Sequence, residues 1–130
     1  MAAKRSSSPA AVLGARLAEQ GYTVRTVRGA QLTDLRAAQR AVATALHLPG
    51  NAATNLDALV DSLRDLDDWW PHDPRLALLW EDADVLQEHD PKGWATLQDI
   101  LDEASEREPG RLRIETVGTA ATQRRPRDAT

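Results

Sequence analysis

Apolar residues recur along this chain with two periods, and the changes between them mark its elements. Ser8-Pro9 is a helix start, and Ala11, Val12, Ala15 and Leu17 predict a short helix stopped by Gly21. Tyr22 to Val27 alternates and is rich in β-branched residues, predicting a strand closed by Gly29. Thr33 or Asp34 then caps a helix with Leu35, Ala38, Val42 and Leu46 on one face, ended before Pro49. A second helix, capped by Thr54 or Asn55, carries Leu56, Leu59, Val60 and Leu63 as its buried stripe. Asp67 to Pro74 reads as a turn-rich linker.

The second half repeats the scheme. Leu76 to Trp80 is a short apolar run, predicting a strand buried on both faces. A short helix is expected over Ala83 to His89. Asp90-Pro91 opens a longer one with Trp94, Leu97, Ile100, Leu101 and Ala104 inward, stopped at Pro109-Gly110. Arg111 to Val117 alternates as a half-exposed strand. The order is strand, helix, helix, strand, helix, helix, strand. Helical crossovers between short strands favour an α/β fold with a small parallel sheet and helices packed on it.

Composition narrows the picture. The chain has 130 residues, 42% of them hydrophobic, which suits one domain with one modest core. Residues 1–8 are small, polar and basic, and 119–130 are also polar, so both are expected as disordered tails flanking a domain over 9–118. The N-terminal stretch lacks the apolar segment of a signal peptide, and no apolar run is long enough to span a bilayer. The absence of cysteine excludes disulfides, thiol catalysis and Cys-based zinc sites, and suits a reducing cytoplasm.

The net charge of −4 hides a strong asymmetry. From Asp57 to Glu108 there are 16 acidic residues against only Arg64, Arg75, Lys92 and Arg107, whereas the rest of the chain holds 12 basic residues against 4 acidic. Such polarity speeds encounter with a basic protein and rejects nucleic acid on the acidic side.

The chemistry concentrates on the helix after Asn55. Asp57, Asp61 and Asp65 stand one turn apart and share one edge of it. Like charges at this spacing cost a few tenths of a kcal/mol per pair. The helix dipole compensates Asp57 in the first turn but not the later two. A helix built only for stability would interleave cations, and only Arg64 is there. As plain structure this is a solvated helix face; as function it is a row of carboxylates kept for a cationic partner.

Leu48-Pro49, followed by Asn55-Leu-Asp-Ala-Leu-Val-Asp-Ser-Leu63, resembles the barstar family of ribonuclease inhibitors. Its pattern here is Leu-Pro, a loop with aromatics and glycine, then Asn-Leu-Asp-Ala-Leu-Trp-Asp-x-Leu. Pro74 to Trp80 is similar to the family's second strand, and Gly93 to Ala104 to its last helix. The resemblance covers about Tyr22 to Val117 and implies a three-stranded parallel sheet, with the first helix as an addition.

The resemblance further implies an inhibitor rather than an enzyme. Asp57, Asp61 and a glutamate on the last helix, Glu103, would stand where RNA phosphates sit in a small secreted or toxin-type ribonuclease of basic charge. Asn51, Asn55, Val60, Arg64 and Asp65 complete the expected contact surface. The family's loop aromatics are replaced by Asn51 and Ala52, its glycine by Ala53 and its helix tryptophan by Val60. Trp69 and Trp70 are candidate replacement anchors, and of two adjacent tryptophans one is expected to be exposed. A bacterial cytoplasmic immunity protein is implied, acting as a monomer in a 1:1 complex, without cofactor, metal, membrane or nucleic acid.

The competing readings are an acidic adaptor for a basic protein that is not a nuclease, and an enzyme using Asp57 and Asp61 as acid and base or metal ligands. No phosphate-binding glycine loop, HExxH or nucleophile elbow supports the enzyme. His47, His72 and His89 are scattered and stand beside no candidate nucleophile.

Overall fold

The computed structural model describes residues 8–71, 75–107 and 111–118. The expected tails, apart from Ser8, lie outside the described residues, as do His72, Asp73 and the Pro109-Gly110 stop. The elements are α1 Pro9–Glu19, β1 Thr23–Arg28, α2 Leu35–Ala45, a 3₁₀ turn at Gly50–Ala53, α3 Leu56–Arg64, α4 Leu66–Trp69, β2 Leu76–Glu81, α5 Ala83–His89, α6 Pro91–Arg107 and β3 Leu112–Val117. The strands form one parallel sheet in the order β1-β2-β3. The fold is therefore α/β with a three-stranded parallel sheet and packed helices.

Caps fix the helix starts. Ser8, Asp34 and Asn55 each accept from a backbone amide three residues on, at Ala11, Ala37 and Ala58. Gly21, at φ 94°, ends α1, and the Tyr22 amide donates to the Leu17 carbonyl. That turn claims Tyr22, so β1 starts at Thr23, one residue later than the alternation predicts. Asp90 joins two helices: its carboxylate accepts from the Gly93 amide in α6 and from the Leu35 amide at the start of α2. Gly93 is required by this closeness, because a Cβ there would collide with the Asp90 carboxylate and with the Leu35 Cβ.

β2 is central and Leu76 to Trp80 are all buried, as its unbroken apolar run predicts. Leu76, Leu78 and Trp80 join the main core with Val42, Leu46, Leu59, Leu97 and Leu101. Leu79 points to the opposite face, where α1 covers the sheet: Leu17 is buried, and a Cβ on Gly14 would sit 3.4 Å from the Leu79 side chain. In α6 Leu97 and Leu101 are buried, while Trp94, Ile100 and Ala104 are half-buried against the core.

One expectation changes. The stretch read as linker from Asp67 begins inside a helical turn, α4, because Leu66 is buried and anchors it directly after α3. Arg111, just before β3, holds this turn by pairing with Asp67 and donating to the Trp70 carbonyl.

Candidate functional site

α3 buries Leu59, Ser62 and Leu63 and turns Asp57, Asp61 and Arg64 to solvent. Asp65, its C-cap, is also exposed. Among the described residues no basic side chain lies within 4.0 Å of the carboxylates of Asp57, Asp61 or Asp65. Three like charges thus stand on one helix edge without an internal counter-ion, and only Asp57 sits in the favourable first turn.

The Asn55 side chain is committed to capping α3, accepting from Ala58 at 3.1 Å. Asn55→Ala is expected to cost about 1 kcal/mol in thermal or urea unfolding. It also loosens the turn that aims Asp57.

The loop before α3 is fastened from inside. The Gln39 amide donates to the Ala52 carbonyl at 2.9 Å, and both residues are buried. Gln39 did not emerge from the sequence as a site-building residue, although one glutamine beside the apolar stripe of α2 was the available signal. With Ala52 pinned, Asn51 and Gly50 face solvent, and among the described residues a Cβ on Gly50 would meet nothing within 4 Å.

Glu103 comes from α6, which packs against α3. Val60, Leu63 and Arg64 meet Ile100, Glu103, Ala104 and Arg107 along a shallow crevice. Arg64 lies 3.6 Å from the Glu103 carboxylate, with both side chains about half exposed. A pair this wet contributes little to stability, but it steers Glu103 toward the α3 edge. Val60, where the family pattern has tryptophan, is half-buried at the rim of the crevice.

The two tryptophans separate as adjacent bulky residues must. Trp70 is 9% exposed, donates to the Leu46 carbonyl at 2.7 Å and stacks on His47 with ring centroids 4.7 Å apart. It packs as a core residue with little surface exposed, which corrects its reading as an exposed anchor. The non-helical backbone at Trp70, φ −135° and ψ 62°, turns it away from its neighbour. Trp69 is 36% exposed, and its indole donates to the carbonyl of Ser62, the residue after Asp61. The structure therefore gathers Trp69, Asp61, Arg64 and Glu103 around α3.

Arg25 donates to the Ala45 carbonyl and to Nε2 of His47, so that ring nitrogen carries no proton while the bond is made. His89 bonds the Val85 carbonyl of its own helix. Among the described residues no group of three or more His, Asp or Glu side chains is placed to hold a metal, and no helix is long and apolar enough to cross a membrane.

Comparison with known proteins bears on the family and the fold. No protein of curated function matches the chain. Among solved structures, the chain is similar to the ORC2 protein of Aeropyrum pernix in its ADPNP-ADP complexes, at 15% identity and a TM-score of 0.53. That likeness covers 85% of this chain and 29% of the other, and it concerns the fold alone. The model of the family described as Barstar (barnase inhibitor) matches residues 22–117, from the residue before β1 to the end of β3. Members of that family are inhibitors rather than enzymes, and their partners are ribonucleases. With well over half of its 130 residues matched, this chain belongs to the barstar family.

Proposed function

We propose that this protein blocks the active site of a small basic ribonuclease and protects the cell that makes it. The observation that carries this reading is the row of exposed α3 carboxylates with no internal counter-ion among the described residues, in a chain of the barstar family. Asp57 and Asp61 take the places of RNA phosphates and pair with the enzyme's arginines, lysines or histidine. Charge-assisted pairs are strong where water is excluded. Glu103, steered by Arg64, adds a third carboxylate from α6, and Trp69 supplies an aromatic anchor beside Asp61. Asn51 and Val60, standing where the family has aromatics, leave room for larger side chains of the target, whereas Ala52 is buried beneath them.

The complex is 1:1, forms in the cytoplasm and needs no cofactor. It also costs little in rearrangement, because Gln39 and Asn55 already hold the loop and the helix start. Opposite fields raise the association rate, so that rate is expected to fall steeply with salt while dissociation changes little. The test is to immobilise the protein, pass over it the secreted proteins of its source cell, and assay what is retained for RNA cleavage. A basic ribonuclease whose cleavage stops when the protein is added back is expected. A retained partner without RNA-cleaving activity would overturn the reading.

A further inference from the structure

Among the described residues β1 lies at the edge of the sheet and pairs with β2 alone. The Thr23 amide donates to the Arg75 carbonyl and the Gly29 amide to the Glu81 carbonyl, so the odd-numbered residues face β2. Backbone groups alternate along a strand, which leaves those of Val24, Thr26 and Arg28 directed outward. Among the described residues they meet no backbone partner.

α2 runs beside this open edge without covering it. Ala37, Ala41 and Thr44 share one helical face, and their small side chains leave a groove of about 540 Å³ between helix and strand. Arg25, Arg28 and Arg40 line the same groove. Charged side chains on an edge commonly serve to repel unwanted pairing. That explanation does not suffice here: Arg25 is tied back to Ala45 and His47, and a guarded edge needs no open channel along it. Arg28 and Arg40 have no ion-pair partner among the described residues.

We propose that the β1–α2 groove is a second docking surface, which takes an acidic, extended segment of a partner polypeptide as a fourth strand of the sheet. Free amides and carbonyls that alternate along an edge are satisfied by another peptide backbone, the usual mode of strand addition beside a helix. Carboxylates on that segment meet Arg28 and Arg40. Single-stranded nucleic acid fits less well, because no aromatic ring lines the groove to stack a base. A second copy joined edge to edge would bring the two arginine-bearing strands together, and like charges across strands repel.

The probe is an acetylated octapeptide alternating glutamate and valine, titrated into ¹⁵N-labelled protein. Saturable shifts centred on the Val24, Thr26 and Arg28 amides are expected, with no response to a lysine–valine peptide or to an RNA oligonucleotide. Arg28→Glu with Arg40→Glu is expected to weaken binding at least about tenfold, and Ala41→Trp to block it by filling the groove. The charge reversal decides the matter if the tryptophan disturbs the fold. The proposal is overturned by the absence of saturation, by a response indifferent to charge reversal, by a stronger response to RNA, or by edge shifts that follow protein concentration alone. Barstar-type inhibition is measured separately, so loss of one activity is distinguishable from loss of the other.

Discussion

Asp61→Ala is expected to weaken ribonuclease binding by more than about 2 kcal/mol, roughly thirtyfold, while the protein folds at least as well as before. The two halves of this expectation have separate causes. In the free protein Asp61 is solvated, unpaired among the described residues and flanked one turn away by Asp57 and Asp65. Removing it relieves repulsion worth a few tenths of a kcal/mol and removes no packing. In the complex the same carboxylate is desolvated against cations of the enzyme. Deleting it leaves those cations buried without a partner, which is the costly case. Calorimetric titration beside thermal unfolding reads both quantities. Lower melting temperature with unchanged affinity would mean that Asp61 supports the fold and contacts nothing.

Trp80→Ala is expected to have the largest effect on stability, a loss of about 3–5 kcal/mol. Trp80 is 1% exposed on the central strand, and its ring meets Trp94 edge-on with centroids 5.5 Å apart. A domain of this size holds only about 5–15 kcal/mol in total, so the melting temperature should fall by roughly 10–20 °C. Trp80→Phe should cost much less. Among the described residues the indole Nε1 of Trp80 is buried with no hydrogen-bond partner, so phenylalanine removes an unsatisfied donor along with some packing. If the alanine variant melted within a few degrees of the parent, the core would be centred elsewhere.

These two residues differ in how far the sequence exposes their roles. The Asp57–Asp61 spacing needs only the helical period to be read, and α3 has the expected cap and buries Leu59 and Leu63 of the expected stripe, with Leu56 and Val60 only half-buried and Ser62 buried beside them. The order of strands and helices was legible for the same reason, since each element has its own period or an unbroken apolar run. Trp80 was legible as part of a buried strand, but its neighbours were not. Gly29 reads as a strand terminator, yet it is also a packing requirement. A Cβ there would lie 2.7 Å from the Trp80 indole nitrogen and 2.6 Å from the Glu81 carbonyl.

What stayed hidden depends on contacts between elements distant in sequence. Which of Trp69 and Trp70 turns inward follows from the backbone at Trp70 and from the Leu46 carbonyl waiting across the core. The Arg64–Glu103 pair needs α3 and α6 side by side, which neither helix encodes alone. The Gln39–Ala52 bond that fixes the loop joins two helices through one buried amide. The turn at Leu66–Trp69 is too short for any period to show, and its acidic residues and following proline resemble a linker.

The most direct measurement titrates this protein into a fixed amount of a barnase-type ribonuclease while RNA cleavage is followed. Cleavage should fall linearly to zero at one equivalent of the parent protein. The equally well-folded Asp57→Asn, Asp61→Asn double variant should need a large excess to do the same. Undiminished cleavage in the presence of excess parent protein, or equal inhibition by parent and double variant, would contradict the assignment of inhibition to the α3 carboxylates.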